Sequence, residues 1–510
     1  MPESRPPREL TEGSTMRSFE HSESRLDLST SAVSSKSAQA YIDETPSWRD
    51  GTPVAMTPMT IMQWRIWGLA AAGKFFEGLV VFMTGVALPL IADEFHINAV
   101  QHGMLSAASL FGILIGAIAL GGLSDHFGRR TMFIFEMFLF LAFLGMLVAS
   151  PNFGWLVICL FGIGVALGCD YPTAHIIISE SIPSNVRGRL VLGAFGFQAL
   201  GALTGTAVGF LVLKNLPEVG AWRWMYATAI IPAMFVAIRR FGVTESAPWL
   251  LHRGQVPQAT EAMMHLLARK PQYPQQVRLA ARTEDQAANR GYAALFDKRN
   301  LRATILASVP WFLQDLGTYG IGIFTPTILA ASIGHKTHHV RNLADLIGND
   351  VLAAKGAALI DVLLIAGIIA AVLLADRAGR IRLQVIGFIG CAAGLLIASF
   401  STMVAGGAQL VLIFLGFMLF NFMTNLGPNA QTYLLAGEVF PTRIRAQGAG
   451  FAAAFAKIGA VLTAFLFPVL LKDIGTAELL YILIFTSLLG AVITWTFRIQ
   501  TTGVNLDSVS

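Results

Sequence analysis

The chain of 510 residues is 54% hydrophobic and only 13% charged, with a formal net charge of +5. Soluble proteins carry about 25% charged residues, so this composition, with a mean hydropathy of +0.61, excludes an ordinary soluble domain. Alternating strand patterns with dense turns are lacking, which argues against a membrane β-barrel, and Cys159, Cys169 and Cys391 all lie in apolar runs as buried thiols rather than a disulfide framework.

Residues 1–58 are rich in Ser, Thr, Glu, Arg and Pro and lack the apolar core of a signal peptide. They predict a disordered cytoplasmic tail. Twelve apolar runs follow, near 64–91, 101–123, 131–150, 153–179, 189–213, 222–241, 301–330, 356–376, 382–403, 408–436, 446–471 and 477–498. About 20 apolar residues span a bilayer as a helix, so the expected fold is an all-α membrane protein of twelve transmembrane helices. They group into six-helix bundles at 59–241 and 301–498, joined by a cytoplasmic linker at 242–300 and followed by a tail at 499–510. Gly112/Gly116, Gly164/Gly168 and Gly201/Gly205/Gly209 recur at four-residue spacing, which lets neighbouring helices approach closely.

Basic residues mark one side. The 2–3, 4–5, 8–9 and 10–11 loops carry Arg129/Arg130, Arg187/Arg189, Arg377/Arg380/Arg382 and Arg443/Arg445, whereas the 1–2, 3–4 and 9–10 loops carry none. Positive loops stay inside. Both termini and the linker are therefore expected in the cytoplasm of a multi-pass plasma (inner) membrane protein, and the charge speaks for orientation rather than for a nucleic-acid partner. The longest outward loop, 331–355, holds His335, His338 and His339 without a Cys or carboxylate at ligand spacing, so no metal site is expected there.

The chain repeats itself. Gly121-Gly-Leu-Ser-Asp125-His-Phe-Gly128-Arg129-Arg130 recurs in shorter form as Leu374-Ala-Asp376-Arg377-Ala-Gly379-Arg380, offset by 251 residues. Glu180-Ser-Ile-Pro183-Ser-Asn-Val-Arg187 recurs as Glu438-Val-Phe-Pro441-Thr-Arg-Ile-Arg445, offset by 258. Duplicated membrane halves are how many transporters are built. Glu180 with Arg187, Glu438 with Arg445, and Asp125 and Asp376 near Arg129, Arg130 and Arg380 are expected to form a cytoplasmic gate of ion pairs between the halves.

Ionisable residues at membrane depth cost about 2.5–3.5 kcal/mol each on insertion scales, so they face the interior and act there. Lys74 and Glu77 lie in the first run, Asp170 in the fourth, Asp315 in the seventh and Lys457 in the eleventh. Asp361 reads as interfacial, near the outer end of the eighth. The offset of 258 carries Asp170 to the neighbour of Asn429, and Gln198 to the neighbour of Lys457. A ring of polar groups around one central cavity is expected.

The Gly-x-Leu-Ser-Asp-x-x-Gly-Arg-Arg loop resembles the signature of the major facilitator superfamily. Thr244-Glu245-Ser246-Ala247-Pro248-Trp249-Leu250, although it lacks an Arg, looks like a motif of the sugar-porter and metabolite-symporter branch. The resemblance implies two pseudo-symmetric six-helix halves, the major facilitator fold. Gly168-Cys169-Asp170-Tyr171-Pro172 is similar to a motif of phosphate:proton symporters. That likeness implies an anion held by Tyr171, Gln198, Trp311, Asp315, Tyr319, Asn429 and Lys457, with Glu77, Asp170 and Asp315 coupling protons. Helix 1 departs from the phosphate pattern, since Val80 stands where a second acid is expected and Lys74 is three residues from Glu77.

The expected function is secondary active transport, the proton-coupled uptake of a small polar or anionic metabolite by alternating access. Inorganic phosphate:proton symport, a sugar or organic-acid facilitator, an efflux antiporter and a transporter-like nutrient receptor are the alternatives. Helix 5 lacks the Pro of an antiporter motif, and the N-terminal tail alone favours a receptor. No nucleotide loop or metal quartet marks an enzyme. The expected partners are the substrate, protons and the lipid bilayer, with a monomeric protein and no cofactor.

Overall fold

A computed structural model describes residues 36–44, 59–119, 123–268, 277–279, 292–334, 343–441 and 444–499. The chain folds into helices: α1 (Ala38–Asp43), α2 (Ile61–Phe95), α3 (Ala99–Ala119), α4 (Leu123–Phe127), α5 (Arg129–Val148), α6 (Phe153–Ser181), α7 (Ser184–Asn215), α8 (Ala221–Ala227) and α9 (Ile230–Arg240). Next come α10 (Ala247–His252), α11 (Val256–Leu266), α12 (Leu301–Gly334), α13 (Leu343–Ala378), α14 (Arg380–Ser399), α15 (Gly407–Leu426), α16 (Pro428–Glu438), α17 (Arg445–Asp473) and α18 (Thr476–Thr496). Long apolar sequences leave no other way to satisfy the backbone in a bilayer.

Among the described residues, 11 helical stretches are long and apolar enough to cross a membrane. The stretch absent from that set, against an expectation of twelve, is α12. It has 34 residues and carries Pro310 and Pro326 in its interior. Two expected spans are interrupted: α8 and α9 divide at Thr228–Ala229, and α15 and α16 at Gly427-Pro428.

The small-residue spacing does what it predicts. A Cβ on Gly164 would lie 2.0 Å from the Ser109 carbonyl oxygen of α3, and one on Gly201 2.0 Å from that of Phe75 in α2. These glycines bring α6 onto α3 and α7 onto α2. Between the first and second halves of the sequence, α2 packs on α12, α3 on α17 and α7 on α13.

The duplicated loop has duplicated geometry. Gly128 (φ 102°) precedes α5, and Gly379 (φ 85°) precedes α14, both in a region an L side chain avoids.

Two expectations are corrected. The supposed tail has an ordered part: Ala38, Tyr41 and Ile42 of α1 are buried in a cluster with Val277 and Leu279. Asp43 accepts hydrogen bonds from Ser184 N at 2.7 Å and Ser184 Oγ at 2.8 Å. Polar composition had hidden these three apolar anchors. The outer 331–355 loop is helical from Leu343 onward, while His335, His338 and His339 lie outside the described residues.

Candidate functional site

The centre of the bundle holds one connected polar cluster. Lys457 Nζ on α17 donates to Tyr319 OH at 2.7 Å and Asp315 Oδ2 at 3.2 Å, both on α12. It also lies 3.8 Å from Glu77 Oε1 on α2. Tyr319 OH donates to Glu77 Oε1 at 3.1 Å. Gln198 Nε2, on α7, donates to the same Glu77 oxygen at 3.2 Å and to Tyr319 OH at 3.0 Å. Lys74 Nζ closes the chain on Glu77 Oε2 at 3.2 Å. Three helices thus contribute two ammonium groups and two carboxylates, all with side chains at most 5% exposed, and α7 adds the Gln198 amide. The formal charge of this cluster is zero, the condition under which buried charges are tolerated.

A small pocket, partly open, adjoins the cluster and is lined in part by Gln198, Tyr319, Asn425 and Asn429. Asn429 donates to Asn425 Oδ1 at 2.6 Å, and Asn425 to the Leu364 carbonyl at 2.9 Å. Trp311 packs edge-on against Tyr433 of α16, whose ring stacks on Phe195 of α7 at 4.5 Å between centroids. The sequence reading missed Tyr433. The side chain of Tyr171 lies outside the described residues.

Asp170 does not join the ring expected around the cavity. Its Oδ1 is 2.8 Å from Arg240 Nη2 on α9, and Arg240 Nη1 is 2.6 Å from Glu136 Oε1 on α5. The guanidinium also lies 3.6 Å from the Phe133 ring centroid. Arg240 is fully buried, and Glu136 and Asp170 are 2% and 3% exposed. Equivalent depth along two helices therefore did not mean equivalent direction. The sequence reading singled out neither Arg240 nor Glu136.

One of the expected loop pairings is revised. Glu180 faces Arg129, with Nε at 3.5 Å from Oε2, rather than Arg187. Arg187 donates instead to the Ile182 carbonyl at 3.2 Å and to Ser184 Oγ at 3.3 Å. In the second half Glu438 Oε2 lies 2.6 Å from Arg380 Nε as an ion pair. The two arginines and the two glutamates are the repeat partners of one another, so the same pair occurs once in each half. Each joins the Gly-Arg loop to the Glu-x-x-Pro turn of its own half. Arg130 N donates to Glu245 Oε1 at 3.0 Å, and its Nη2 to the Phe241 carbonyl at 2.8 Å. Burial pushes the Glu245 carboxyl above the ordinary glutamate range, opposed by backbone N–H groups of Arg130 and Ser246. The side chains of Asp125, Asp376 and Arg445 lie outside the described residues.

A helical membrane bundle with a charge-balanced cluster at its centre is the construction of a transporter. The sequence profile described as "Sugar (and other) transporter" matches residues 44–510, and the chain belongs to that family. The chain is 29% identical over 460 residues to the inner membrane metabolite transport protein YgcS of Escherichia coli (strain K12), covering 89% of this chain and 96% of the relative. It is 27% identical to the repressible high-affinity phosphate permease of Neurospora crassa, covering 76% and 73%. Its fold matches a partially occluded, inward open structure of the E. coli xylose transporter XylE with TM-score 0.69 and 20% identity, covering 88% of this chain and 100% of that one. The protein is a transporter of the major facilitator fold, not an enzyme.

Proposed function

We propose that the protein takes up a small polar or anionic metabolite together with protons by alternating access. The observation that carries this reading is the neutral Lys74–Glu77–Tyr319–Lys457–Asp315 cluster. An anion entering the cavity engages Lys457, the cation between two carboxylates. The cluster then holds one negative charge too many. In a low-dielectric site the simplest neutralisation is a proton on Asp315 or Glu77. Binding of a monoanion and of one proton are thereby linked, and neither is favourable alone. Gln198, Asn429 and Tyr319 supply hydrogen-bond donors, and Trp311 a wall. Asp170, held by Arg240, is a less direct proton carrier than the sequence suggested.

Inorganic phosphate:proton symport is a second reading. The residue set Gln198, Trp311, Asp315, Tyr319, Asn429 and Lys457 and the likeness to a phosphate permease favour it. The Arg-bearing loops support a plasma-membrane protein with both termini in the cytoplasm. The test starts from thermal stabilisation by a panel of carboxylates, sugars and inorganic phosphate. The ligand that stabilises is then followed into proteoliposomes under an inward proton gradient. Accumulation should collapse with an uncoupler, and Lys457→Ala should abolish binding. Accumulation that ignores the uncoupler refutes symport, and retained binding refutes the anion site.

A further inference from the structure

A second carboxyl at membrane depth lies outside the central cluster. Asp361, read from sequence as interfacial, sits midway along α13 and is only 3% exposed. Its Oδ1 accepts from Asn421 Nδ2 on α15 at 3.1 Å. Its Oδ2 lies 3.2 Å from Thr206 Oγ1 on α7. Thr206 is fully buried and Asn421 is 3% exposed. Since α7 belongs to the first half of the chain and α13 and α15 to the second, this carboxyl bridges the seam between them.

Among the described residues the surroundings contain no counter-charge. α15 has no ionisable residue. The closest cation on α7, Lys214, is eight residues beyond Thr206, about 12 Å along the helix; Arg187 and Arg189 lie at the opposite end. On α12, Asp315 is engaged by Lys457 and Arg302 by the Phe497 and Arg498 carbonyls. On α2, Lys74 and Glu77 hold each other, and Arg65, Asp93 and Glu94 lie toward the helix ends. α14 and α16 contribute Arg380 and Arg382 at one end and Glu438, paired to Arg380. Along α13 itself, Asp350, Lys355, Asp376 and Arg377 are six or more residues away. Among the described residues no ion pair is made by Asp361.

Counting protons selects its state. The Thr206 hydroxyl has one proton and three acceptors in reach: the Ala202 carbonyl at 3.2 Å, the Leu203 carbonyl at 3.1 Å and Asp361 Oδ2. With Asp361 ionised, an unpaired charge competes with two helix carbonyls for that single proton. With a proton on Oδ2, the carboxyl donates to Thr206 Oγ1, the hydroxyl donates to its own helix, and Asn421 donates to Oδ1. Every group is then satisfied and no net charge is buried. We propose that Asp361 is a proton-binding site on the α7–α13 seam, separate from the central cluster and tying the two halves together through Thr206.

The proposal does not depend on the transported substrate, so it is tested without one. Infrared spectra of the wild type, Asp361→Asn and Thr206→Val in lipid nanodiscs are compared at neutral pH. The wild type should show the C=O stretch of a buried protonated carboxyl that Asp361→Asn lacks. Thr206→Val, which deletes the acceptor, should shift that stretch to higher frequency. Coincident wild-type and Asp361→Asn spectra in the protonated-carboxyl region overturn the proposal. Should Asp361→Asn fail to fold, a Thr206→Val spectrum identical to wild type overturns it equally.

Discussion

Arg240→Met separates a buried charge held by its partners from one merely near them. Arg240 bridges Glu136 at 2.6 Å and Asp170 at 2.8 Å with no exposure of its own side chain. It further donates to the Phe133 carbonyl at 2.6 Å. Met keeps much of the packing volume but removes the guanidinium that bridges them, leaving two carboxylates side by side. Removing one partner of a buried ion pair costs about 3–5 kcal/mol. The loss should therefore be of that order in thermal or denaturant unfolding of the purified protein in nanodiscs. Adding Glu136→Gln and Asp170→Asn removes the orphaned charges and should recover about 2 kcal/mol or more, because contacting residues couple strongly. A single-variant loss below about 1 kcal/mol, or a triple variant no better than the single one, would refute the argument that these charges depend on one another.

Other changes test neighbouring parts of the account. A Cβ at Gly73 would sit 1.9 Å from Asp170 Oδ2, so Gly73→Ala should push Asp170 off Arg240 and destabilise by about 1–3 kcal/mol, measured as a lower unfolding midpoint. Tyr319→Phe deletes the hydroxyl shared by Lys457, Gln198 and Glu77; ligand affinity should fall about tenfold for one lost hydrogen bond, read by titration calorimetry. Glu245, raised by burial, binds its proton more tightly folded than unfolded, so its contribution is present at low pH and fades as pH rises through the folded value. Glu245→Gln should flatten the decline of the unfolding midpoint above the ordinary glutamate range, and an unchanged slope would count against it.

The membrane spans were legible because each is a long apolar run, and the edges fell within a few residues of α2, α6 and α17. Lys74, Glu77, Asp315 and Lys457 were legible for a related reason: charge inside such a run is expensive and seldom accidental. Direction was not legible. An α-helix turns about 100° per residue, and α6 is apolar on every side, so nothing in its sequence says which way Asp170 points. Packing against α5 and α9 decides that, and it turns Asp170 to Arg240. Asp361 was misplaced for a different reason: α13 extends to Leu343, well before its apolar run begins, which moves the carboxyl from the rim to the middle. The repeat did locate the Gly-Arg and Glu-x-x-Pro loops. It did not say that Glu180 would choose Arg129 over Arg187, since both are within reach and only the fold of α5 against α6 discriminates.

The central claim is that Lys457 makes anion and proton binding one event. Proteoliposomes holding a pH-sensitive dye, given the ligand identified by thermal stabilisation, measure both fluxes at once. The account predicts that external ligand acidifies the lumen as it accumulates, with about one proton per negative charge carried if the cluster stays neutral, and that Lys457→Ala abolishes both signals. Ligand accumulation by the wild type with no change in lumen pH would contradict it.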